Sequence, residues 1–539
     1  MENTKEIVFV NYVLDNVHGF IGLTDIEDKI ERLPIFKRLQ DISQLGLVKR
    51  IFPGALHNRY IHSLGVMHVI DQMALHLKRF SNAERQLLRI AGMLHDLGHY
   101  PLSHDLEQVY DRKEDLLEAD FPPVKEIFYD DLQNDINKII GTSNSENTSE
   151  DFWIPQRELV VKGRFHHETV TTRVINASKS IYNIIVDGIK QGYFNDKKTN
   201  WDSSSDEDVK IFAKKIINDI CALIQGNSDY VYEEGAFPEH FTAMLQMLHS
   251  ELDADRIDYL LRDATFSGAS YGSFDLGILL QNLDMKEYTI GKKSVWIVGV
   301  REKGIGCADQ YMVNRYLAYT QVIFNKYTSI IAKMLREIVR WMMNNMSDNP
   351  FYSPDNMDRI IKQHEENQHY LAFTDSYFFN KLNAVEKIKH GCPDDIYYFI
   401  EQLRQFRALD VEMEDVFSGN EDIQKKHIKE SEFYKNINKL FNNENMMNEE
   451  KGLYLLCKKK LTNHMPFNIF KKNFDKYSEK HERCLNYEMY KIDRLMDGLA
   501  VIFEDKEPIL LIDSPRSMLS QFYDMQQIMV RKYVFKSCY

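Results

Sequence analysis

Three stretches of the sequence bring histidine and carboxylate side chains together at spacings that suit cation binding and proton transfer. In SNAERQLLRIAGMLHDLGHYPLSHD, residues 81–105, His95 and Asp96 are adjacent, and His99 and His104 follow within one or two turns. In HNRYIHSLGVMHVIDQMALHL, residues 57–77, His62 falls near the start of an apolar helical stripe. In LHSELDADRIDYLLRDA, residues 248–264, Asp255, Tyr259 and Asp263 recur every four residues, so an acid, a phenol and an acid share one helix face. Imidazole nitrogens and carboxylate oxygens together suit a transition metal ion. Each stretch alone also has a structural reading. A His-Asp pair is expected about once by chance among 18 histidines in an Asp-rich chain, and His104-Asp105 is a second one. His62 alone reads equally as a satisfied core histidine, and the 255–263 face as a solvated acidic face laced by Asp258 and Arg262.

The elements that must carry these residues are helical. Ser81 and Glu84 have capping-box spacing, and Leu87, Leu88, Ile90, Ala91 and Leu94 supply a buried side. Gly98 and Pro101 supply a stop, so the pattern predicts His95 and Asp96 at a helix's last turn. Leu64, Met67, Ile70, Ala74 and Leu77 predict a second helix, and Leu252, Ile257, Leu260 and Leu261 a third. Steps of three and four through Ile330, Ile331, Met334, Leu335, Ile338, Val339 and Met342 draw a fourth. The expected fold is mainly α. Polar runs at 141–151 and 196–208 read as surface insertions within wider segments near 120–160 and 190–210. Composition shifts after about 345, where NNMSDNPFYSPDN reads as a boundary. The organisation expected is therefore a core over 1–345 and an accessory α+β lobe over 346–539 for assembly or regulation. GLAVIF and PILLI, split by EDKE, predict a small β-hairpin near the end of that lobe.

Bulk properties narrow the class. With 539 residues, 44% of them hydrophobic, the chain can bury a sizeable core. A net charge of −14 argues against a globally basic nucleic-acid binder. Cysteines at 221, 307, 392, 457, 484 and 538 form no CxxC pair, which fits a reducing compartment. The opening MENTKEIVFVNYVLDN has no leader pattern, and no apolar run is long enough to span a bilayer. The expected location is the cytoplasm.

The strings FPGALHNRYIHSLGV, AGMLHDLGHYPLSH, FHHET and DADRIDYLLRD occur in one order, preceded by LDNVHGFI and PIFKRLQDISQLG. In order and wording they resemble the HD-domain deoxynucleoside triphosphate triphosphohydrolases, over residues from about 12 to 345. The resemblance implies an HD-domain helical core in which His62, His95, Asp96 and Asp255 hold one transition metal ion, with Fe, Mn, Zn and Ni not distinguishable. Such an ion supplies Lewis acidity and an activated water, and Mg is expected to accompany the substrate triphosphate. It implies that His104 and His167 stand beside the α-phosphate, with His99 and Glu168 close by and Glu107 paired with His104. Asp105 is a sequence-adjacent competitor for that pairing. For His99 alone, a helix-end bond to backbone is as good a reading. Arg59, Arg256 and Arg315 match phosphate-binding positions, Gln44 and Asp263 match partners of the sugar 3′-hydroxyl, Leu45 packs on the base, and Tyr259 contacts sugar and phosphate.

The pattern breaks in NRYLAYTQVIFNKYT, where the family has a tyrosine at the place of Ile323 and a histidine at that of Asn325. Losing that tyrosine bears on selection against a 2′-hydroxyl or on base preference. Beside PIFKRL this chain has Arg32, Lys37 and Gln40 in place of the family's guanine-reading Asp, Gln and Arg. Three functions are consistent with these residues: a deoxynucleoside triphosphate triphosphohydrolase, a related hydrolase of nucleoside monophosphates or other phosphoesters, and a nucleotide-sensing or nucleic-acid-binding subunit without turnover. The resemblance also implies a homo-oligomer and leaves room for a nucleotide effector. No guanine-specific activator site of the family type is expected, so one nucleotide at a time should be turned over. Strict dependence on added GTP or dGTP would contradict this.

Overall fold

The structure is a computed structural model that describes residues 6–110, 164–195, 205–226, 230–290, 293–346, 351–405, 407, 410–431, 435, 452–462, 464, 466–469, 471–472 and 487–534. The polar run 141–151 and most of 196–208 lie outside the described residues. Only the end of the second run is described. Ser205 caps the helix Asp206–Gln225 there, in a capping box with Asp208.

The fold is mainly α, with smaller sheets, as the periodicity predicts. Asn58 caps the helix Arg59–Leu77, its side chain accepting from the Ile61 N–H at 3.2 Å, which places His62 in the first turn. The Ser81–Glu84 capping box forms, and the helix runs Asn82–Leu94. His95 is the C-cap and Asp96 follows it, one step later than the predicted last turn. The two helices meet closely where Gly92 faces Met67; a Cβ on Gly92 would lie 3.3 Å from the Met67 Cα. Asp253 caps the helix Ala254–Ser267, which ends at Gly268 in the left-handed conformation (φ 72°). This helix lies against Arg59–Leu77 so tightly that a methyl group on Gly65 would overlap the Asp258 carboxylate and the Arg262 guanidinium.

A buried ionic knot clamps the first two of these helices to the chain's first helix, Asp25–Glu31. The Arg89 Nη2 donates to Glu27 Oε2 at 2.6 Å and its Nη1 to Asp71 Oδ2 at 2.9 Å, and all three side chains are buried. Gln86 donates to the other Glu27 oxygen at 2.7 Å.

Strands Asn11–Asp15 and Gly19–Leu23 form an antiparallel pair. The predicted hairpin is present: Ala500 faces Leu510 and Val501 faces Ile509, antiparallel. It does not stand alone, because Ala500–Ile502 adds in parallel to Lys293–Arg301, itself paired with Leu283–Ile290. Late chain thus completes a sheet begun before residue 345. A third sheet has Gln526–Val534 at its centre between Asp410–Gly419 and Gly452–Lys460, all antiparallel.

Residues 370–375 also brace the loops that carry the candidate site. The buried Arg38 guanidinium donates to the carbonyls of Leu97, His99, Tyr370 and Phe373. Asp375 accepts from Ser43 N–H and hydroxyl and from Leu102 N–H. Among the described residues no helix is long and apolar enough to cross a membrane. Arg89→Met should lower unfolding free energy in urea by about 3–5 kcal/mol, because two carboxylates are left buried without their cation. A change under 1 kcal/mol would show the knot to be dispensable.

Candidate metal and phosphate site

The four residues expected to hold a metal converge. The His62 Nε2 lies 3.0 Å from Asp255 Oδ1 and 3.7 Å from Asp96 Oδ2. The His95 Nε2 lies 3.3 Å from Asp96 Oδ1 and 3.8 Å from Asp255 Oδ1. Ligand atoms of His62, His95 and Asp96 all fall within 4.8 Å of one another.

Tautomers decide what this cluster can do. The His62 Nδ1 is 2.7 Å from Asp258 Oδ2, and the His95 Nδ1 is 2.8 Å from the Gly92 carbonyl. Both partners only accept, so each Nδ1 carries a proton and each Nε2 of a neutral ring presents a lone pair. Both Nε2 atoms are buried without a hydrogen-bond partner, the 3.0 Å approach to Asp255 lacking hydrogen-bond alignment. A buried lone pair without a partner is costly, and a cation between two such imidazoles and two carboxylates satisfies all four. The residues present therefore fit a transition metal ion. In the metal-free protein, burial pulls the His62 imidazole down, but Asp255 and Asp258 outweigh it and raise it to about 10. Binding a cation therefore displaces a proton and strengthens as pH rises.

The alternative of a solvated acidic face does not hold for Asp258. It is fully buried and accepts from His62, from His18 Nε2 at 2.6 Å and from Arg262 Nε at 2.8 Å. Arg262, also fully buried, continues to Asp15 at 2.7 Å.

Beside the cluster stands a second arrangement. Glu107 accepts from His104 Nδ1 at 2.7 Å through one oxygen, and from the His167 Nδ1 and backbone N–H at 2.7 Å each through the other. One buried carboxylate thus orients two imidazoles. Burial raises the Glu107 carboxyl, but His167 and His104 outweigh it and hold it far below the usual carboxylate range. Burial lowers the His167 imidazole, and Glu107 more than reverses that. Asp105, the competitor in the sequence, does not pair with His104; burial pushes its carboxyl up. His99 joins the two arrangements. Its ring stacks on His167 with centroids 4.1 Å apart, and its Nε2 lies 3.2 Å from Asp96 Oδ1. Neither ring nitrogen of His99 makes a hydrogen bond, so its side chain does not serve as a backbone cap. Glu168 lies 3.5 Å from His166 and 3.8 Å from His249, at the margin.

The candidate substrate residues surround this pair of arrangements. Arg59 is turned inward: it donates to Asp96 Oδ2 at 2.8 Å, to Ser103 Oγ at 2.9 Å and to the Gln44 carbonyl at 3.3 Å. Arg256 pairs with Asp253 and donates to the Ser250 carbonyl at 2.7 Å. Arg315 is buried, 3.5 Å from Glu251 Oε1, and its Nη1 makes no hydrogen bond. The Tyr259 phenol sits among Tyr319, Arg315 and Arg256, its acidity suppressed by burial. Gln44 is buried with its Oε1 unpartnered, and Leu45 is half-buried next to it. Asp263 accepts from His57 Nε2 at 2.7 Å, and the His57 carbonyl accepts from the Gln44 N–H at 3.1 Å. His57, which no spacing singled out, thereby ties the two 3′-hydroxyl candidates together. Ile323 closes a π-helical turn, Tyr319–Ile323, and Asn325 caps the next helix by accepting from Tyr327 N–H at 3.0 Å.

An HD domain model matches residues 59–140, which include His62, His95, Asp96, His99, His104 and Glu107, while Asp255 enters from outside it. The chain carries an HD domain over these residues. It is 25% identical over 331 residues to YwfO of Bacillus subtilis, covering 60% of this chain and 54% of YwfO. It is 27% identical over 263 residues to the deoxynucleoside triphosphate triphosphohydrolase SAMHD1 homolog of Dictyostelium discoideum, covering 48% of this chain and 36% of that one. The chain spans about half the length of the curated relatives it matches, 54% for YwfO. A crystal structure of a hypothetical protein from Aquifex aeolicus shares its fold with a TM-score of 0.56 at 19% identity, covering 97% of this chain and 96% of that one.

Asp258→Asn in this HD-domain protein should weaken metal affinity about 10- to 100-fold, since the partner that orients His62 is lost. Competition titration with a metallochromic chelator measures this, and unchanged affinity would contradict the role given to Asp258.

Proposed function

We propose that this HD-domain protein is a metal-dependent hydrolase that splits deoxynucleoside triphosphates into deoxynucleoside and inorganic triphosphate. The observation that carries the proposal is one juxtaposition. Two imidazoles with bare Nε2 atoms and two carboxylates lie beside His104 and His167, both held by Glu107, with His99 between them.

His62, His95, Asp96 and Asp255 would hold the ion, which when bound supplies a Lewis acid for the α-phosphate and lowers the pKa of a water. Water adds to the α-phosphorus, the bond to the 5′ oxygen breaks, and that oxygen takes a proton. His104 suits the donor role because it is more than half exposed while Glu107 fixes its Nδ1, leaving Nε2 for the departing oxygen. Glu107 stabilises the protonated form of the His167 imidazole, which stands ready to exchange a proton beside it. Arg256 and Arg315 bind phosphate oxygens. Gln44, with its unpartnered Oε1, and Asp263 take the sugar 3′-hydroxyl, Leu45 lies on the base, and Tyr259 spans sugar and phosphate. Glu168 and Arg59 support this arrangement from the edge and from below Asp96. The relative named a deoxynucleoside triphosphate triphosphohydrolase supports the choice of substrate, and the homo-oligomer implied by the sequence resemblance belongs to the same reading.

A second reading, hydrolysis of nucleoside monophosphates or other phosphoesters, rests on Ile323. An aliphatic side chain there omits the aromatic ring that the family sets against the sugar. Chromatography of products separates the two readings. The first predicts deoxynucleoside and inorganic triphosphate in equal amounts, and pyrophosphate or orthophosphate as the inorganic product would overturn it. Asp96→Ala and Asp255→Ala should abolish turnover. Glu107→Gln should cut kcat by about 10²- to 10⁴-fold, and full activity in Glu107→Gln would remove His104 and His167 from the chemistry.

A further inference from the structure

Strand Gly452–Lys460 belongs to the three-stranded sheet of the late chain, with Lys459 opposite Gln527 on the central strand Gln526–Val534. That sheet docks on the turn following the helix Ile305–Ala318. The Arg531 Nη1 donates to the Phe324 carbonyl at 2.7 Å, and the Tyr533 hydroxyl donates to the Lys326 carbonyl. These bonds set the strand's end over the π-helical turn Tyr319–Ile323, four residues beyond Arg315. The Lys459 Nζ lies 3.5 Å from the centroid of the Tyr319 ring, and the lysine is only partly exposed.

The charges around it do not balance. Asp253 takes Arg256. Glu251, near Arg315 at 3.5 Å, also lies 3.3 Å from the Thr462 hydroxyl and 3.4 Å from His464. Lys459 makes no ion pair among the described residues, and the buried Arg315 Nη1 has no hydrogen bond. Burial, then Arg315 and Arg256, pull the Lys459 ammonium down to about 7, with Glu251 opposing. Two guanidinium groups and an amine thus converge on two carboxylates in a partly dry space. Positive charge gathered out of water is stable only when an anion joins it. A buried guanidinium whose ion pair among the described residues is the 3.5 Å approach to Glu251 and whose Nη1 makes no hydrogen bond, an amine held on an aromatic face and a neighbouring arginine suit a multiply charged, many-oxygened group.

We propose that Lys459, delivered by the region after residue 345, is a phosphate-binding residue that completes the polyphosphate site with Arg256 and Arg315. This rests on the triphosphate reading above. The late region is then not only a support: it supplies a residue that touches substrate, and the site is incomplete without it.

The test uses inorganic tripolyphosphate and orthophosphate, titrated by calorimetry into the full chain, its Lys459→Gln variant and its Lys459→Arg variant. Lys459→Gln should weaken tripolyphosphate binding about tenfold or more, as loss of a bond to a charged group implies. Orthophosphate binding should change less than threefold, and Lys459→Arg should recover most of the affinity. With deoxynucleoside triphosphate, KM should rise by the same factor while kcat stays within threefold. Equal tripolyphosphate affinity in Lys459→Gln and the natural chain, or failure of the natural chain to bind tripolyphosphate, would overturn the proposal. Lys459-dependent binding without deoxynucleoside triphosphate turnover would support the role of Lys459 while sinking the substrate reading. Release of triphosphate with no Lys459 dependence would do the reverse.

Discussion

The bond from His62 Nδ1 to Asp258 is the contact on which the candidate centre turns. It commits the one ring nitrogen that could otherwise satisfy itself locally, so that Nε2 faces Asp255 and Asp96 and presents them a lone pair once a cation displaces its proton. The Gly92 carbonyl does the same for His95. Two buried, bare imidazole nitrogens are an expense that a fold built for stability alone would avoid. Much of the surrounding structure maintains them. Arg262 and His18 hold Asp258, the absent side chain at Gly65 makes room for it, and the Arg89 knot keeps the His62 and His95 helices in register.

A second economy lies in Glu107. A single carboxylate uses both oxygens to orient His104 and His167, and the two imidazoles keep it ionised against the effect of burial. Because His99 stacks on His167 and reaches toward Asp96, the proton-handling pair and the metal cluster are one contiguous arrangement. Loops carrying it are braced from outside the HD segment by Arg38 and Asp375.

How much of this was legible beforehand depended on distance along the chain. Apolar periodicity and, for His95 and Asp96, a capping box placed His62, His95 and Asp96 near helix ends, but only the ordered set of motifs made them metal ligands. Asp255 needed the ordered set of motifs to be joined with them. Glu107 and Asp105 could not be ranked from sequence, since a two-residue offset at a helix start turns one inward to His104 and leaves the other half-buried and away from it. Asp258 carried no signal of its own for a related reason. On a helix with Asp255 and Arg262 it reads as one of a solvated set, and only the approach of the Gly65 surface buries it. His57, His18 and Lys459 had no local signal at all. Lys459 depends on strand register and on the docking of a sheet onto a turn more than a hundred residues earlier, contacts that periodicity does not encode.

The central claim concerns what occupies the space between the two Nε2 atoms. X-ray absorption on the purified full chain, loaded in turn with Mn, Fe, Zn and Ni, tests it most directly. One ion per chain should bind, with two imidazole nitrogens and carboxylate oxygens in its inner shell and no sulfur, and His62→Ala should remove one imidazole. Absence of stoichiometric uptake for every metal, or an inner shell without imidazole, would contradict it.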